Sequence, residues 1–256
     1  MIVFAFANQK GGVGKTTSAV TLADGLARLN RRTLLVDLDP QGHLALSFGL
    51  EKSPGLYRLV CLDEPLSEVV QQLRPNLDLV AGDKQTEKVK RQITLSDFRE
   101  NILSDILAGS GYDVVMLDMA PSLDVLHING LIAADWVVIP TRLDALAVDG
   151  VKEILTTMAE ISQNGHVYRG YSILPTFFDR TTRETLIQFE EITRVFGKNV
   201  WPHVPQDTRV RETAAYGQTL WEYSPDSSSV EGFTDGRQHL GGYRQVLGRM
   251  LEVIDG

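Results

Sequence analysis

Asn8-Gln9-Lys10-Gly11-Gly12-Val13-Gly14-Lys15-Thr16-Thr17 decides how this chain is read. An apolar run, Ile2 to Ala7, precedes it, and an amphipathic run, Ser18 to Leu29, follows. Strand, glycine-rich turn and helix are therefore predicted to meet at one point. Glycines at 11, 12 and 14 let the backbone wrap closely and aim its N–H groups at an anion. The helix opening there adds unpaired amides and the positive end of its dipole. Lys15 supplies a mobile cation and Thr16 a hydroxyl suited to Mg²⁺. This is phosphate-binding chemistry.

Outward from that loop, Thr33 to Asp39 reads as a buried strand ending in two carboxylates, with a turn forced by Pro40, Gln41 and Gly42. Tyr112 to Asp118 is a second apolar run that delivers an acid. Leu77 to Ala81, Trp136 to Pro140 and Tyr171 to Phe178 read as further strands, the last followed by a helix that Thr181 or Thr182 can cap. Strands alternating with helices predict an α/β fold: one doubly wound, mostly parallel sheet flanked by helices. In such sheets a ligand sits beyond the C-terminal edge. Asp37, Asp39, Asp118 and the loop at 10–17 all follow strands, so they should converge there. Taken alone, Asp37 and Asp39 also read as an ordinary strand cap.

The remaining stretches say less. Residues 44–76, broken by Pro54, Pro65 and Pro75, suggest short helices and loops. Lys84, Lys88 and Arg91 share one face of a predicted helix, which reads as solvated or as facing a partner. Residues 224–242, rich in Ser, Gly and Asp, read as a mobile loop. Gly242 to Ile254 is a final helix with Tyr243, Val246, Leu247 and Met250 on its apolar face. The whole chain, 1–256, is expected to form one domain.

Composition sets bounds. Apolar residues at 43% and charged residues at 23% are an ordinary globular mix, and no run reaches the length of a membrane span. Cys61 is the only cysteine, which leaves no internal disulfide and no cysteine-ligated metal. The five histidines show no ligand spacing. A net charge of −8 disfavours nucleic acid on average, although a local basic patch remains compatible with it.

The general phosphate-loop pattern G-x-x-x-x-G-K-[ST] would place glycine at position 9, where this chain has Gln9. The order from Lys10 to Thr17 instead resembles the variant loop of the ParA/MinD group of ATPases, and the match spans most of the chain. The resemblance implies ATP and Mg²⁺ as cofactors. It implies a nucleotide-sandwich homodimer in which Lys10 reaches the partner's ATP. Lys10, Gly11, Gly12, Val13, Gly14, Lys15, Thr16 and Thr17 would bind ATP. Thr16, Asp37 and Asp118 would serve Mg²⁺, and Lys10, Lys15 and Asp39 would be catalytic, with Asp39 orienting the attacking water. Thr176, Pro205 and Asp207 correspond to base-recognition positions. His43 stands where the family has Asn, and Ala120 where it has Pro.

A ParA-like reading further implies non-specific DNA binding, with Arg209, Arg211, Arg237, Arg244 and Arg249 as candidate contacts. Hydrolysis would be stimulated by a ParB-like or cargo-adaptor protein, and the protein would be cytoplasmic and nucleoid-associated. Starting directly at the core strand, the chain resembles the short chromosomal type without an N-terminal helix-turn-helix. Two alternatives remain open: a MinD-like positioner at the membrane surface, and a metabolic ATPase such as an amide-forming ligase or an iron–sulfur reductase. The single cysteine argues against the reductase.

Overall fold

The computed structural model describes residues 1–96, 100–235 and 238–256. Its strands are β1 (Ile2–Phe6), β2 (Thr33–Asp37), β3 (Gln71–Arg74), β4 (Leu77–Val80), β5 (Val114–Asp118), β6 (Trp136–Arg142), β7 (Gly170–Thr176), β8 (Phe233–Asp235) and β9 (Gln238–Leu240). The helices of the first half are α1 (Lys15–Arg28), α2 (His43–Ser47), α3 (Gly55–Cys61), α4 (Leu66–Val69), α5 (Thr86–Leu95) and α6 (Ile102–Leu107). Those of the second half are α7 (Val125–Ala133), α8 (Ala147–Gln163), α9 (Arg183–Phe196), α10 (Arg209–Tyr216), α11 (Leu220–Tyr223), α12 (Ser228–Glu231) and α13 (Gly242–Asp255).

Seven strands form one sheet in the order β3-β4-β2-β5-β1-β6-β7, parallel except for β3. The central strands are apolar on both faces, so both faces must be covered. Along β1, Val3 and Ala5 enter one core, while Ile2, Phe4 and Phe6 enter the other. The first core is closed by α5, α7 and α8 through Val89, Ile93, Leu126, Leu131, Val151 and Ile154. The second is closed by α1 and α13 through Leu22, Leu26, Val246 and Met250. Each fully buried side chain of this kind contributes about 1.5–3 kcal/mol. A one-residue slip of β1 would move the Phe4 and Phe6 rings into the wrong layer, which is why register is fixed.

Three local expectations are corrected. Residues 71–74 form an edge strand, antiparallel to β4 and turned by Asn76 at φ 60°. Only Leu73 of that strand is buried, so it carries no alternating apolar signal. Helix α5 begins at Thr86, leaving Lys84 in the preceding turn, and the Lys88 ammonium lies 5.1 Å from the Tyr57 ring centre. Thr182 occupies the N-cap of α9 without capping it, because its hydroxyl donates to Asp179 instead.

Residues 224–242, read from composition as a loop, contain α12 and the antiparallel pair β8–β9. Their glycines serve close backbone crossings. Gly232 and Gly242 lie at φ 83°, and a Cβ on either would stand 2.4 Å from a backbone atom of the other strand of the crossing.

Candidate functional site

The glycine loop leaves β1 and is fixed at its root by Asn8. This side chain is 2% exposed, donates to the Pro140 carbonyl at 2.9 Å and accepts the Lys10 amide at 2.9 Å. Gly12 and Gly14 take φ of 70° and 88°, a left-handed backbone that a side chain would strain. Gly14 ends the loop as the N-cap of α1, and no side chain of the described residues caps that helix. Its first amides are left to an anion. A Cβ at Gly11 or Gly12 would project into open space, so the loop forms a concave rim. The two lysines take opposite courses. Lys15 is 7% exposed and donates to the Lys10 carbonyl at 3.0 Å. Lys10 lies on the rim, its side chain 41% exposed, and pairs with Asp144 in the β6–α8 connection.

Opposite the loop, Asp37 and Asp118 end β2 and β5 and lie in register on adjacent strands. Both are buried. Asp37 accepts the Asp39 and Leu44 amides at 3.0 and 3.1 Å, so both of its oxygens tie the following turn to the sheet. Burial, then the neighbouring Asp118 charge, holds Asp37 well above the usual carboxylate range. Asp118 Oδ1 is buried with no hydrogen-bond partner among the described residues. Burial raises Asp118 to about 7; the Thr16 hydroxyl and Lys15 oppose this, and Asp39 adds to it. Asp39 is half-buried and accepts the Gln41 amide at 2.8 Å. Gly42 follows at φ 61°, and a Cβ there would stand 2.4 Å from the Gly82 carbonyl oxygen. Lys15 is lowered by burial against the attraction of Asp118 and Asp39. All three carboxylates therefore act on the same small volume.

This arrangement fits a triphosphate with its metal. The loop offers unpaired amides, Lys15 is held on a neutral carbonyl of its own chain, and Asp118 keeps an orphaned oxygen beside Thr16. An unpartnered buried acceptor costs about 1–3 kcal/mol, which a cation or its water would relieve.

Comparison with known proteins now decides the family. Residues 1–168 match the model of a family described as an AAA domain. The chromosome-partitioning ATPase Soj of Thermus thermophilus is 36% identical over 231 residues, covering 90% of this chain and 91% of that one. The chain belongs to the Soj/ParA family of partitioning ATPases. Apo McdA of Cyanothece superposes with a TM-score of 0.80 at 21% identity, over 88% of this chain and 94% of that one. Cobyrinic acid a,c-diamide synthase of Mycobacterium smegmatis, with bound ATP analogue and magnesium, gives a TM-score of 0.74 at 29% identity, over 85% and 93%.

Beside the glycine loop of this Soj/ParA protein lies a cleft lined by Gly14, Thr17, Thr176, Phe177, Pro205 and Arg211, among others. Two side chains expected to read a base, Thr176 and Asp207, line the cleft and also bond within the chain. Thr176 donates to the Val13 carbonyl at 2.9 Å, clamping the loop. Asp207 accepts the Arg209 amide at 3.0 Å and the Ser228 hydroxyl at 3.1 Å, tying α10 to α12. Burial opposes ionisation of Asp207, yet those bonds hold it below the ordinary range. Pro205 lines the cleft with them. Phe177, which the sequence did not single out, sits at φ 54° with the Arg142 guanidinium 5.3 Å from its ring centre. A β-region strand end would normally carry it; the left-handed turn swings the ring toward Gly14.

The arginines do not form one set. Arg244 pairs with Glu231 and Arg249 with Glu252. Arg209 and Arg211 are exposed and form no ion pair among the described residues, and Arg211 also lines the cleft. Arg237 lies outside the described residues. His43 is exposed at the start of α2.

Asp118 gives a prediction about stability. Its carboxyl is raised from 3.8 to about 7 by burial, so the folded chain holds a proton that the unfolded chain releases. The stability contribution is complete below the ordinary carboxylate range and is lost as pH rises through about 7. In nucleotide-free, metal-free protein, Asp118→Asn is expected to raise stability at pH 8 by at least about 2 kcal/mol, or ~4 °C or more in Tm. At pH 5 the gain should be less than half as large, because the unfolded carboxyl is already ionised there while the folded one still holds its proton. Thermal melts of the two proteins at both pH values check this, and a gain that does not change with pH would refute it.

Proposed function

We propose that this protein is an ATP-dependent dimerising ATPase that binds DNA without sequence preference and partitions a chromosome, plasmid or protein cargo. The observation that carries this reading is the division of labour between the two lysines of one loop. Lys15 is buried toward the carboxylates, whereas Lys10 stands on the rim, where a second copy could be reached. Lys10 would leave Asp144 to meet the partner's nucleotide. Thr16 and Asp118, with Asp37 through water, would serve Mg²⁺, and Asp37 would also keep its turn in place. When bound, Mg²⁺ supplies charge neutralisation and orientation for the phosphate oxygens. Lys15 and the loop amides would steady the charge that shifts toward the leaving ADP oxygen. Asp39 would orient the water whose oxygen bonds to the γ-phosphorus as the bond to ADP breaks.

Partner stimulation, cytoplasmic residence and association with the nucleoid complete the proposal. With a net charge of −8, DNA contact would be confined to a local patch, for which Arg209 is the most available of the candidates. The membrane alternative has less support. Helix α13 buries Tyr243, Val246, Leu247 and Met250 in the core beside α1, so its apolar face is not free for lipid. No helix of the described residues is long and apolar enough to cross a membrane. The likeness to the diamide synthase favours a second reading, an amide-forming ATPase. That reading requires turnover that depends on a small acid and an amine donor.

Light scattering and gel shifts with ATP, ADP and no nucleotide test the proposal. The expected result is a dimer and a DNA shift with ATP alone, the shift fading steeply with salt. Single molecules in all three conditions, or equal DNA binding in all three, would overturn it.

A further inference from the structure

His127 lies in the first turn of α7, directly after the segment that leaves β5 and Asp118. It is 3% exposed, and both ring nitrogens are buried without a hydrogen-bond partner among the described residues. Buried polar atoms in a finished structure are nearly always paired, so an imidazole with neither nitrogen satisfied needs a reason. General looseness of the helix is not that reason. Asp124 caps it by accepting the Leu126 and His127 amides at 3.0 and 3.1 Å, and also takes the Ser122 hydroxyl at 2.9 Å and the Lys90 ammonium at 2.8 Å. One turn on, Asn129 donates to the Val125 carbonyl at 3.0 Å. The helix start is pinned, and His127 is the exception within it.

The groups around the ring give its direction. Burial holds the imidazole neutral, lowering it to about 4; the pull of the nearby Ala120 carbonyl, which is not in hydrogen-bonding geometry, and the Asp124 charge oppose this, and the Lys15 charge adds to it. The ring therefore feels both the phosphate-loop lysine and the peptide two residues beyond Asp118. The Ala120 carbonyl already accepts the Ser122 amide at 2.9 Å and has a second lone pair to offer. A neutral imidazole carries one N–H, and a small movement of the 119–124 segment would bring that N–H onto this lone pair.

We propose that His127 is a positioning residue for hydrolysis: its imidazole takes the Ala120 carbonyl when nucleotide is bound and so fixes the segment leading from Asp118. This rests on the ATPase reading above. A role in packing alone would be filled as well by an apolar ring, which provides the test.

The full chain is compared as wild type, His127→Phe, His127→Leu, His127→Asn and His127→Gln. Single-turnover ATP hydrolysis, ATP affinity, Tm and amide hydrogen exchange over 119–124 are measured. Phe and Leu should cut the hydrolysis rate at least tenfold, leave ATP affinity within threefold and leave Tm equal or higher. In wild type, exchange over 119–124 should slow when a non-cleavable ATP analogue binds; in the Phe and Leu variants it should not. Asn or Gln, each keeping an N–H near one ring nitrogen, should restore the rate to within threefold. Wild-type rates in Phe and Leu, no rescue by either amide, or losses that follow Tm or ATP affinity would each overturn the inference. A wild type that binds ATP and never cleaves it would bring down the ATPase reading itself, and this inference with it.

Discussion

Lys15→Ala is expected to weaken ATP binding about a thousandfold, a loss of ~4 kcal/mol, in a titration with a fluorescent ATP analogue. The magnitude follows from where the ammonium sits. It is almost wholly buried and faces Asp118 and Asp39, so it is the local cation that balances two carboxylates. Removing it leaves a triphosphate to enter a site whose remaining buried side-chain charges are negative. Charge-assisted hydrogen bonds in a site shielded from water are stronger than neutral ones, and the loop amides alone do not replace them. Lys15→Arg should not rescue. The Lys10 carbonyl accepts a single donor from a compact head group, and a planar guanidinium fork does not fit that approach. The fold should tolerate both changes, because the ammonium makes one hydrogen bond and its burial is already unfavourable to its charge. A titration that superimposes on wild type would remove Lys15 from the site.

What the sequence made legible follows from range. The glycine loop, its lysines and the acids at 37, 39 and 118 could be read because each is set by a few neighbours: an apolar run fixes the strand, and the next residues fall at its edge. The doubly wound parallel sheet followed from the same alternation, and the structure shows it. Strand β3 was hidden because only Leu73 of it is buried, and the polar Gln71, Gln72 and Arg74 around it at the sheet edge carry no apolar pattern. The 224–242 segment was hidden because a close backbone crossing needs glycine, and glycine-rich composition also describes a loop. Partner choice was the least legible. Thr176 clamps Val13 across 163 residues of sequence, and Lys10 finds Asp144 across 134. No local pattern announces either pairing. Asp207 illustrates the same limit: its position beside the cleft was readable, but the use of its oxygens by Arg209 and Ser228 depends on how α12 folds back.

Asp39→Ala should act oppositely to Lys15→Ala, keeping the nucleotide while stopping its cleavage. Asp39 sits on the turn after β2, whereas the amides and the lysine that grip phosphate belong to the β1–α1 loop, so the two functions are carried by separate segments. One of its oxygens accepts the Gln41 amide, and its charge is felt at Lys15, Asp37 and Asp118, which directs it toward their common volume. Losing the group that orients a reacting water costs about 10²–10³ in rate. Taking a negative charge away from the triphosphate should leave affinity equal or improved. Asp39→Asn separates charge from shape, because its amide oxygen can still accept from Gln41 and hold the turn. If the carboxylate charge is what matters, both variants should lose at least a hundredfold in single-turnover rate while ATP affinity stays within about threefold. The ATP-bound dimer should then accumulate, since the step that would dissolve it is blocked. Normal turnover in the Asn variant with loss in the Ala variant would assign Asp39 to holding the turn; normal turnover in both would leave the water to another residue.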